Sequence, residues 1–417
     1  MSVPGSAATE PTHLGRPLLA VFSATFFVRF AFGITVAVLA SYISGHSNLL
    51  GQSEVGVVGA IAALAPVGEF STVLLSGAAA DRYGRFPVLF AGIGSAAVVF
   101  LLISTTRDPY LLAGANLAFG VASGAILASS LAIVADHSAL SERGFEMGRF
   151  DAMNLSGWIL GFAFGLGVRG IVPNSSLALA FDLGAALLAG GLGFGALLIR
   201  GQPVAHAHPA YVLSEVAGHI FRRSVLLVTL PWLVIYMLIG TALVFLGTAA
   251  SSTGIGPVEL AVIITVAGLV LVFTQPTFGR LADRFGRMRM MTVGATGFVL
   301  VMLFASLIVA FGPKDELLAG LGVCVLVALV YGPAALAALA DLSQEISRAT
   351  TMAIYSLTIS LGMLVGLLAF TQLYSRLGDL GLYLFFGAIA LTLSVLTAAR
   401  VADLREGSGD RPTTPAR

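Results

Sequence analysis

The chain has 417 residues, of which 57% are hydrophobic and only 10% are charged, whereas an average soluble domain carries roughly 25% charged residues. With a net charge of +1 and a mean hydropathy of +0.96, it has too little polar surface to cover a water-soluble core of this size. These values exclude a soluble enzyme, a nucleic-acid-binding protein and a disordered chain, and they predict a protein that crosses a membrane several times.

A membrane-spanning helix needs about 20 consecutive, mostly apolar residues. Twelve segments meet this criterion: 17–43, 54–77, 86–105, 109–135, 147–168, 176–199, 225–249, 257–278, 290–311, 316–340, 349–374 and 380–399. The sequence therefore predicts an all-α membrane protein with twelve transmembrane helices. Six lie in an N-terminal bundle at 1–199 and six in a C-terminal bundle and tail at 225–417, separated by a cytoplasmic loop at 200–224.

The distribution of basic residues predicts the orientation. If the N-terminus is cytoplasmic, 17 of the 22 lysine and arginine residues lie on the cytoplasmic side and four on the other, while Arg29 lies within the first span. Cytoplasmic loops of membrane proteins carry such an excess of positive charge. We therefore expect a multi-pass protein of the cell membrane with both termini in the cytoplasm.

An internal repeat follows the second and eighth spans. Residues 77–87 read GAAADRYGRFP and residues 279–289 read GRLADRFGRMR, with identical residues at six of the eleven positions. In addition, Asp136 precedes Arg143 by seven residues, as Asp341 precedes Arg348. Because each group has an even number of spans, the two copies keep the same orientation, as in parallel repeats related by an axis along the membrane normal.

On these residues, the sequence resembles the major facilitator superfamily over essentially the whole chain. The signature is G-x-x-x-D-R-x-G-R, present at Gly77–Arg85 and again at Gly279–Arg287. The resemblance implies two pseudo-symmetric six-helix bundles that expose a central site to each side in turn. It also implies that the loop aspartate caps a helix of the opposite bundle and that the second arginine bridges to the acid that ends the fourth span.

These implications define a set of candidate gating residues. A carboxylate at a helix N-terminus is stabilised by about 0.3–1 kcal/mol when exposed, and by more when partly buried. The alternative is that the arginines only follow the positive-inside rule, which would not by itself repeat a nine-residue pattern. The candidates are Gly77, Asp81, Arg82, Gly84, Arg85, Asp136, Arg143, Gly279, Asp283, Arg284, Gly286, Arg287, Asp341 and Arg348.

Two charged residues lie well inside their predicted spans, Arg29 in the first and Glu69 in the second. Each costs at least ~2.5–3.5 kcal/mol at mid-membrane, so a functional role is the default hypothesis. We predict that Glu69 is the proton-coupling carboxylate and that Arg29 is its partner or binds an anionic substrate. The alternative is a permanent ion pair that holds the first two spans together. Asp151, at the cytoplasmic start of span five, is expected to be solvated or part of the gate.

Further side chains within the spans are candidates for substrate binding, although packing is the alternative role for the aromatic ones. They are Asn116, Trp232, Tyr236, Gln275 and Tyr331. The expected partners are a small-molecule substrate, protons and the lipid bilayer, without nucleic acid, and the expected state is a monomer. The single cysteine and the His206–His208 pair are too sparse for a metal site, and we expect no cofactor.

The functional prediction is a proton-coupled secondary transporter and not an intramembrane enzyme. None of the six histidines falls within a span, so a Ser-His dyad within the membrane is excluded. The doubled loop signature resembles exporters, which favours efflux of a drug or metabolite. Proton-coupled uptake of an organic anion is an alternative, because Arg29 is the only cation that we expect to be buried. The marks of drug exporters are also missing, since span five lacks their proline and span four has Asn116 where many carry arginine. A lipid or lysolipid flippase is a third possibility.

Overall fold

The computed structural model describes residues 15–42, 54–172, 176–200, 218, 221–252, 257–312, 314–342 and 348–409. The predicted central loop at 200–224 lies mostly outside these residues. The described chain forms α-helices joined by short connections. They are α1 (Arg16–Tyr42), α2 (Glu54–Tyr83), α3 (Arg85–Thr105), α4 (Pro109–His137), α5 (Arg143–Ile171), α6 (Ala178–Ile199), α7 (Arg223–Ser252), α8 (Pro257–Phe285), α9 (Arg287–Phe311), α10 (Asp315–Ala328), α11 (Tyr331–Leu342), α12 (Arg348–Leu377) and α13 (Asp379–Gly409).

The predicted all-α membrane fold is confirmed. Within the described residues, ten helical stretches are long and apolar enough to cross a membrane. Helices α5 and α8 are not among them; the first half of α5 carries Glu146, Arg149, Asp151 and Asn154. A total of twelve spans therefore remains a prediction.

The tenth predicted span consists of two helices, α10 and α11, which are separated at Leu329 and Val330. Pro333 explains the interruption, because proline has no N–H to donate to the carbonyl four residues earlier and restricts the residue before it. The amide of Val330 instead bonds to the carbonyl of Val327, at 3.3 Å. The single predicted helix over 316–340 is thus broken near its middle.

Equivalent helices make equivalent contacts in the two copies of the repeat. Helix α1 packs on α5 and α6, and α3 packs on α4 and α6; correspondingly, α7 packs on α12 and α13, and α9 packs on α10 and α13. Helices α3 and α6, with α9, α10 and α13, therefore lie towards the periphery of the protein.

The first six helices meet the later ones through a small set of central elements. Helices α2 and α4 pack on α12, while α5 packs on α8 and α11. Glycines allow close approach: a Cβ atom added at Gly77 of α2 would lie 2.8 Å from the carbonyl oxygen of Ala349 of α12, and one at Gly148 of α5 would lie 2.6 Å from that of Gln275 of α8. The α2–α12 and α5–α8 contacts lie on either side of the candidate site.

Candidate functional site

The first repeated loop caps a helix of the other half of the chain. The Asp81 carboxylate accepts hydrogen bonds from the backbone amides of Ala349 (3.3 Å) and Thr350 (3.0 Å) and from the Thr350 hydroxyl (2.8 Å), in the first turn of α12. Its side chain is 1% exposed. Arg85 forms ion pairs with Asp136, at the end of α4, and with Asp81. This is the geometry that the resemblance implies.

The second repeated loop makes the equivalent contact with α5. The Asp283 carboxylate accepts hydrogen bonds from the amides of Gly144 (3.0 Å) and Phe145 (2.9 Å). Arg287 pairs with Asp341 and donates to the carbonyl of Leu140 at 2.8 Å. Asp283 lies outside its predicted span, and burial raises the pKa of its carboxyl above the ordinary value, while the two amides and Arg287 lower it. We call the Asp81 and Asp283 contacts the two latches.

One ion pair joins the two halves of the chain beside the Asp283 latch. Arg143, at the start of α5, is 2.8 Å from Asp341, at the end of α11, and its side chain is only 3% exposed. Asp341 thus accepts from both Arg143 and Arg287. The equivalent side chain of Arg348 lies outside the described residues. The carboxylate of Asp341 therefore connects a helix of the first half with a loop of the second.

The remaining residues of the two signatures shape the loops without joining the latches. Gly84 and Gly286 immediately precede α3 and α9 with φ values of 96° and 92°, which L-residues other than glycine rarely adopt. Arg82 and Arg284 are exposed, and each guanidinium lies over the ring of the next residue. Gly279 contacts the backbone of Gly144 so closely that a side chain would not fit.

A second polar group lies within the helical bundle, around Arg29. Arg29 is 9% exposed, and its Nε donates to Asn154 Oδ1 of α5 at 2.7 Å. Asp151 lies one turn earlier on α5 and interacts electrostatically with Arg29. The expectation of a solvated Asp151 is wrong, because α5 begins at Arg143 and raises Asp151 by about 12 Å along the helix, at 1.5 Å per residue. Asp151 is 7% exposed.

Glu69 lies at the contact between α2 and α12. Its carboxylate accepts a hydrogen bond from the Ser356 hydroxyl, and Glu69 is 6% exposed. The described ion pairs do not join Glu69 to Arg29. The two side chains point towards different helices. A Cβ atom at Gly157 of α5 would lie 3.0 Å from Arg29 Cβ, whereas one at Gly124 of α4 would lie 3.5 Å from Glu69 Cγ. Arg29 thus faces α5, and Glu69 faces α4 and α12.

An aromatic cluster adjoins this polar group. Trp232 and Tyr236 of α7 stack with ring centroids 6.3 Å apart, and Tyr355 of α12 meets the Trp232 ring edge-on at 4.9 Å. The hydroxyls of Tyr236 and Tyr355 are 3.4 Å apart. Tyr331 also contacts Trp232, but its hydroxyl donates to the carbonyl of Val228 at 3.0 Å. Of the predicted aromatic candidates, Trp232 and Tyr236 therefore adjoin the site, and Tyr331 supports them.

Several buried polar atoms near the site have no hydrogen-bond partner among the described residues. They include both amide atoms of Gln275 and Oδ1 of Asn116. A Cβ atom added at Gly332 of α11 would lie 2.8 Å from Asp151 Oδ2 and 3.9 Å from Gln275 Oε1. The side chains of Asp151 and Gln275 therefore both approach the backbone at Gly332, where no side chain is present. An unsatisfied buried polar group costs about 1–3 kcal/mol, so these atoms indicate a place for water or a polar solute.

The sequence analysis missed four of the residues that build this site: Asp151, Asn154, Tyr355 and Ser356. One signal was available, because Asp151 and Asn154 are three residues apart and so share a helix face. No comparable pattern marks Tyr355 or Ser356, whose roles depend on the packing of α12 against α7 and α2. The structure thus combines Arg29, Asp151 and Asn154 with Tyr236 and Tyr355, and places Glu69 at a neighbouring interface.

Comparison with known proteins identifies the same overall arrangement. The family model described as Major Facilitator Superfamily matches residues 21–252 and 233–416. The crystal structure of the human organic anion transporter MFSD10 (TETRAN) is similar with a TM-score of 0.70 and 18% identity, over 91% of this chain and 99% of that one. The transporter FucP in the outward conformation is similar with a TM-score of 0.69 and 15% identity, over 92% of this chain and 98% of that one. At these identities, the two structures show a common fold.

Proposed function

Because the chain belongs to the major facilitator superfamily, a family of transporters, we propose that it moves a small organic solute across the cell membrane by alternating access coupled to protons. The observation that carries this proposal is the placement of the two latches. Each ties a loop from one copy of the repeat to a helix start in the other. The moving units are the two predicted bundles, 1–199 and 225–417.

The latches close one side of the interface between the bundles. In the predicted orientation this side is cytoplasmic, so the structure corresponds to a state closed towards the cytoplasm. Opening it requires separating Asp81 from α12 and Asp283 from α5. Each separation breaks two backbone hydrogen bonds to a carboxylate, which charge makes stronger than neutral ones. The latches therefore favour closure without preventing opening.

The solute site lies around Arg29. Its guanidinium has a neutral partner, Asn154, and a nearby negative charge, Asp151. A carboxylate or similar acidic group on a solute would compete with Asp151 for Arg29, and the rings of Tyr236 and Tyr355 offer a surface against which an organic body can pack. The similarity to a protein described as an organic anion transporter supports an acidic solute.

Proton coupling is assigned to Glu69. Its carboxyl bonds to Ser356 across the α2–α12 contact, which lies two to three turns from the Asp81 latch on the same pair of helices. When this contact separates, the Glu69 carboxyl loses the hydrogen bond from the Ser356 hydroxyl and is hydrated instead. Both desolvation and hydrogen bonding change the proton affinity of a carboxyl, so protonation and opening are thermodynamically linked.

Export is the first candidate direction, because the doubled loop signature resembles exporters. Uptake of an organic anion with protons is the second candidate, favoured by the buried Arg29. The direction in which protons move relative to the solute distinguishes export from uptake. In an exporter the solute and the proton move in opposite directions, whereas in an uptake symporter they move together.

The proposal is tested with purified protein in liposomes that contain a pH-sensitive dye. A panel of organic acids, organic cations and neutral compounds is added, and proton movement is recorded for each. We expect an acidic compound to drive proton flux. Glu69→Gln should abolish accumulation driven by a pH gradient while retaining solute exchange, and Glu259→Gln, at an exposed position at the start of α8, should match the wild type. Gradient-driven accumulation by Glu69→Gln would overturn the coupling role.

A further inference from the structure

Helix α7 contains a break in its backbone hydrogen bonding below the aromatic cluster. In a regular helix, the carbonyl of Leu227 accepts a bond from the N–H of residue 231. Here residue 231 is proline, inside the helix, and it has no N–H to donate. A buried carbonyl without a partner is costly, so this carbonyl needs a donor from elsewhere.

Arg400 of α13 supplies that donor. Its Nε and Nη2 lie 3.2 and 2.8 Å from the oxygen of Leu227, and Nη2 also lies 3.2 Å from the Tyr331 hydroxyl. That hydroxyl donates in turn to the carbonyl of Val228. One guanidinium and one phenol, from two different helices, therefore satisfy two consecutive carbonyls of the broken turn.

The burial of Arg400 sets it apart from the basic residues that mark the cytoplasmic side. Arg400 is 1% exposed, and no described carboxylate lies within ion-pair distance of it. Burying a cation costs free energy, and removing its partners costs more. A solvated arginine at the end of a span would satisfy the positive-inside rule without that cost. The geometry therefore indicates a role for the forked donors themselves.

We propose that Arg400 is a positioning residue that holds the proline-broken turn of α7 and thereby fixes the rings of Trp232 and Tyr236. Trp232 directly follows Pro231, and Tyr236 lies one turn later, stacked on it. Tyr331 bonds to Arg400 and also contacts Trp232 with its ring edge. Only the statement that these rings line the solute site rests on the proposed function.

The test uses Trp232 as its own reporter. The chain has two tryptophans, so Trp158→Phe leaves Trp232 alone. In that background we expect Arg400→Gln to shift the emission maximum to longer wavelength and to raise acrylamide quenching at least about twofold, because the turn above Leu227 loosens. Arg289→Gln, at an exposed arginine, is the matched control and should change neither quantity. No solute or gradient is needed, so failure here is separate from failure of the transport proposal.

Pro231→Ala provides a specific rescue. Alanine restores the N–H that Leu227 lacks, so the carbonyl no longer depends on Arg400. We therefore expect Arg400→Gln to change quenching by less than half as much in the Pro231→Ala background as in its absence. A loss of global stability alone would give additive effects at the two positions. Additive effects, or an unchanged Trp232 spectrum in Arg400→Gln, would overturn the proposal.

Arg400→Lys keeps the test decisive if Arg400→Gln does not fold. Lysine retains the charge but not the planar fork that reaches both Leu227 and Tyr331. We expect a folded variant with intermediate quenching that Pro231→Ala again reduces. Wild-type quenching in Arg400→Lys would show that charge alone suffices and would overturn the role of the forked donors.

Discussion

The carboxylate of Asp81 caps the start of α12 at Thr350, 269 residues later in the chain. Asp283 caps the start of α5 at Phe145 in the same way. Each aspartate comes from one copy of the repeat, and each capped helix from the other. A motion that separates the two halves on this side therefore breaks both latches together.

Neutralising Asp81 should favour opening on the latched side, which is cytoplasmic in the predicted orientation. In Asp81→Asn the charge at the start of α12 is lost, which is worth about 0.3–1 kcal/mol, or up to about fivefold in the conformational equilibrium. The reporter is Ala353→Cys in a Cys324→Ala background, because Ala353 of α12 is buried against Val73 of α2 and Ala128 of α4. We expect its labelling by an impermeant maleimide from the cytoplasmic side to accelerate by up to that factor.

Asp108→Asn is the control for this measurement. Asp108 also caps a helix, because it accepts hydrogen bonds from the amides of Tyr110 and Leu111 at 2.9 Å. That helix, α4, directly follows Asp108 in the chain, so the contact stays within one half. Its neutralisation should leave labelling at position 353 unchanged. Equal acceleration in both variants, or none in Asp81→Asn, would contradict the latch.

Replacing Asp341 should lower the stability of the closed state. Asp341→Asn leaves the nearly buried guanidinium of Arg143 without its carboxylate. Breaking a fully buried pair costs about 3–5 kcal/mol; since the Asp341 side chain is 27% exposed, we expect about 1–3 kcal/mol. A thiol-reactive fluorophore measures the unfolding midpoint, because the single cysteine, Cys324, is buried. Arg289→Gln, at an exposed arginine, should retain the wild-type midpoint, and an unchanged midpoint in Asp341→Asn would argue against this role.

Substitutions at Arg29 and Asp151 should affect binding in opposite directions. Arg29→Gln removes charge-assisted bonds worth about 1.5–3 kcal/mol, so an organic acid should bind about 10- to 100-fold more weakly. Asp151→Asn removes a competing negative charge, so the same acid should bind several-fold more tightly. Titration calorimetry measures both, with the methyl ester of the acid as a neutral control that neither substitution should change much. Weaker binding of the acid in Asp151→Asn would refute the competition.

A side chain at Gly77 should prevent closure on the latched side. A Cβ atom there would lie 2.8 Å from the carbonyl oxygen of Ala349, so Gly77→Val cannot be accommodated unless α2 and α12 separate. We expect transport to fall at least about fivefold, since blocking this packing costs about 1–3 kcal/mol or more. Gly190→Val, on α6, meets no atom within 4 Å and should transport normally. Normal transport by Gly77→Val would show that this close contact is dispensable.

The latches were predictable from the sequence because their information is local. The spacing of Asp81 from Arg85 recurs at Asp283 and Arg287, and the resemblance implies that the aspartate meets the start of a helix in the opposite half; the structure identifies these helices as α12 and α5. The structure adds the double contact of Asp341, which no local pattern marks, because Arg143 and Arg287 come from distant parts of the chain.

The central site was less predictable, because depth within the membrane does not determine which way a helix faces. Arg29 and Glu69 both lie well inside predicted spans, yet they bond to Asn154 and Ser356 on different helices. Asp151 was expected to be solvated or part of the gate because it lies at the start of the predicted fifth span, 147–168. Arg400 was counted among the cytoplasmic charges, although Pro231 already implied a carbonyl in need of a donor.

Alternating access is tested most directly by distances between spin labels on the two faces. One pair replaces the exposed residues Arg82 and Arg284, and the other replaces Thr105 and Glu316, both exposed, on the opposite predicted face in the Cys324→Ala background. Adding an acid that drives proton flux should lengthen one distance and shorten the other. Distances that stay fixed, or that lengthen together, would contradict a site opened to one side at a time.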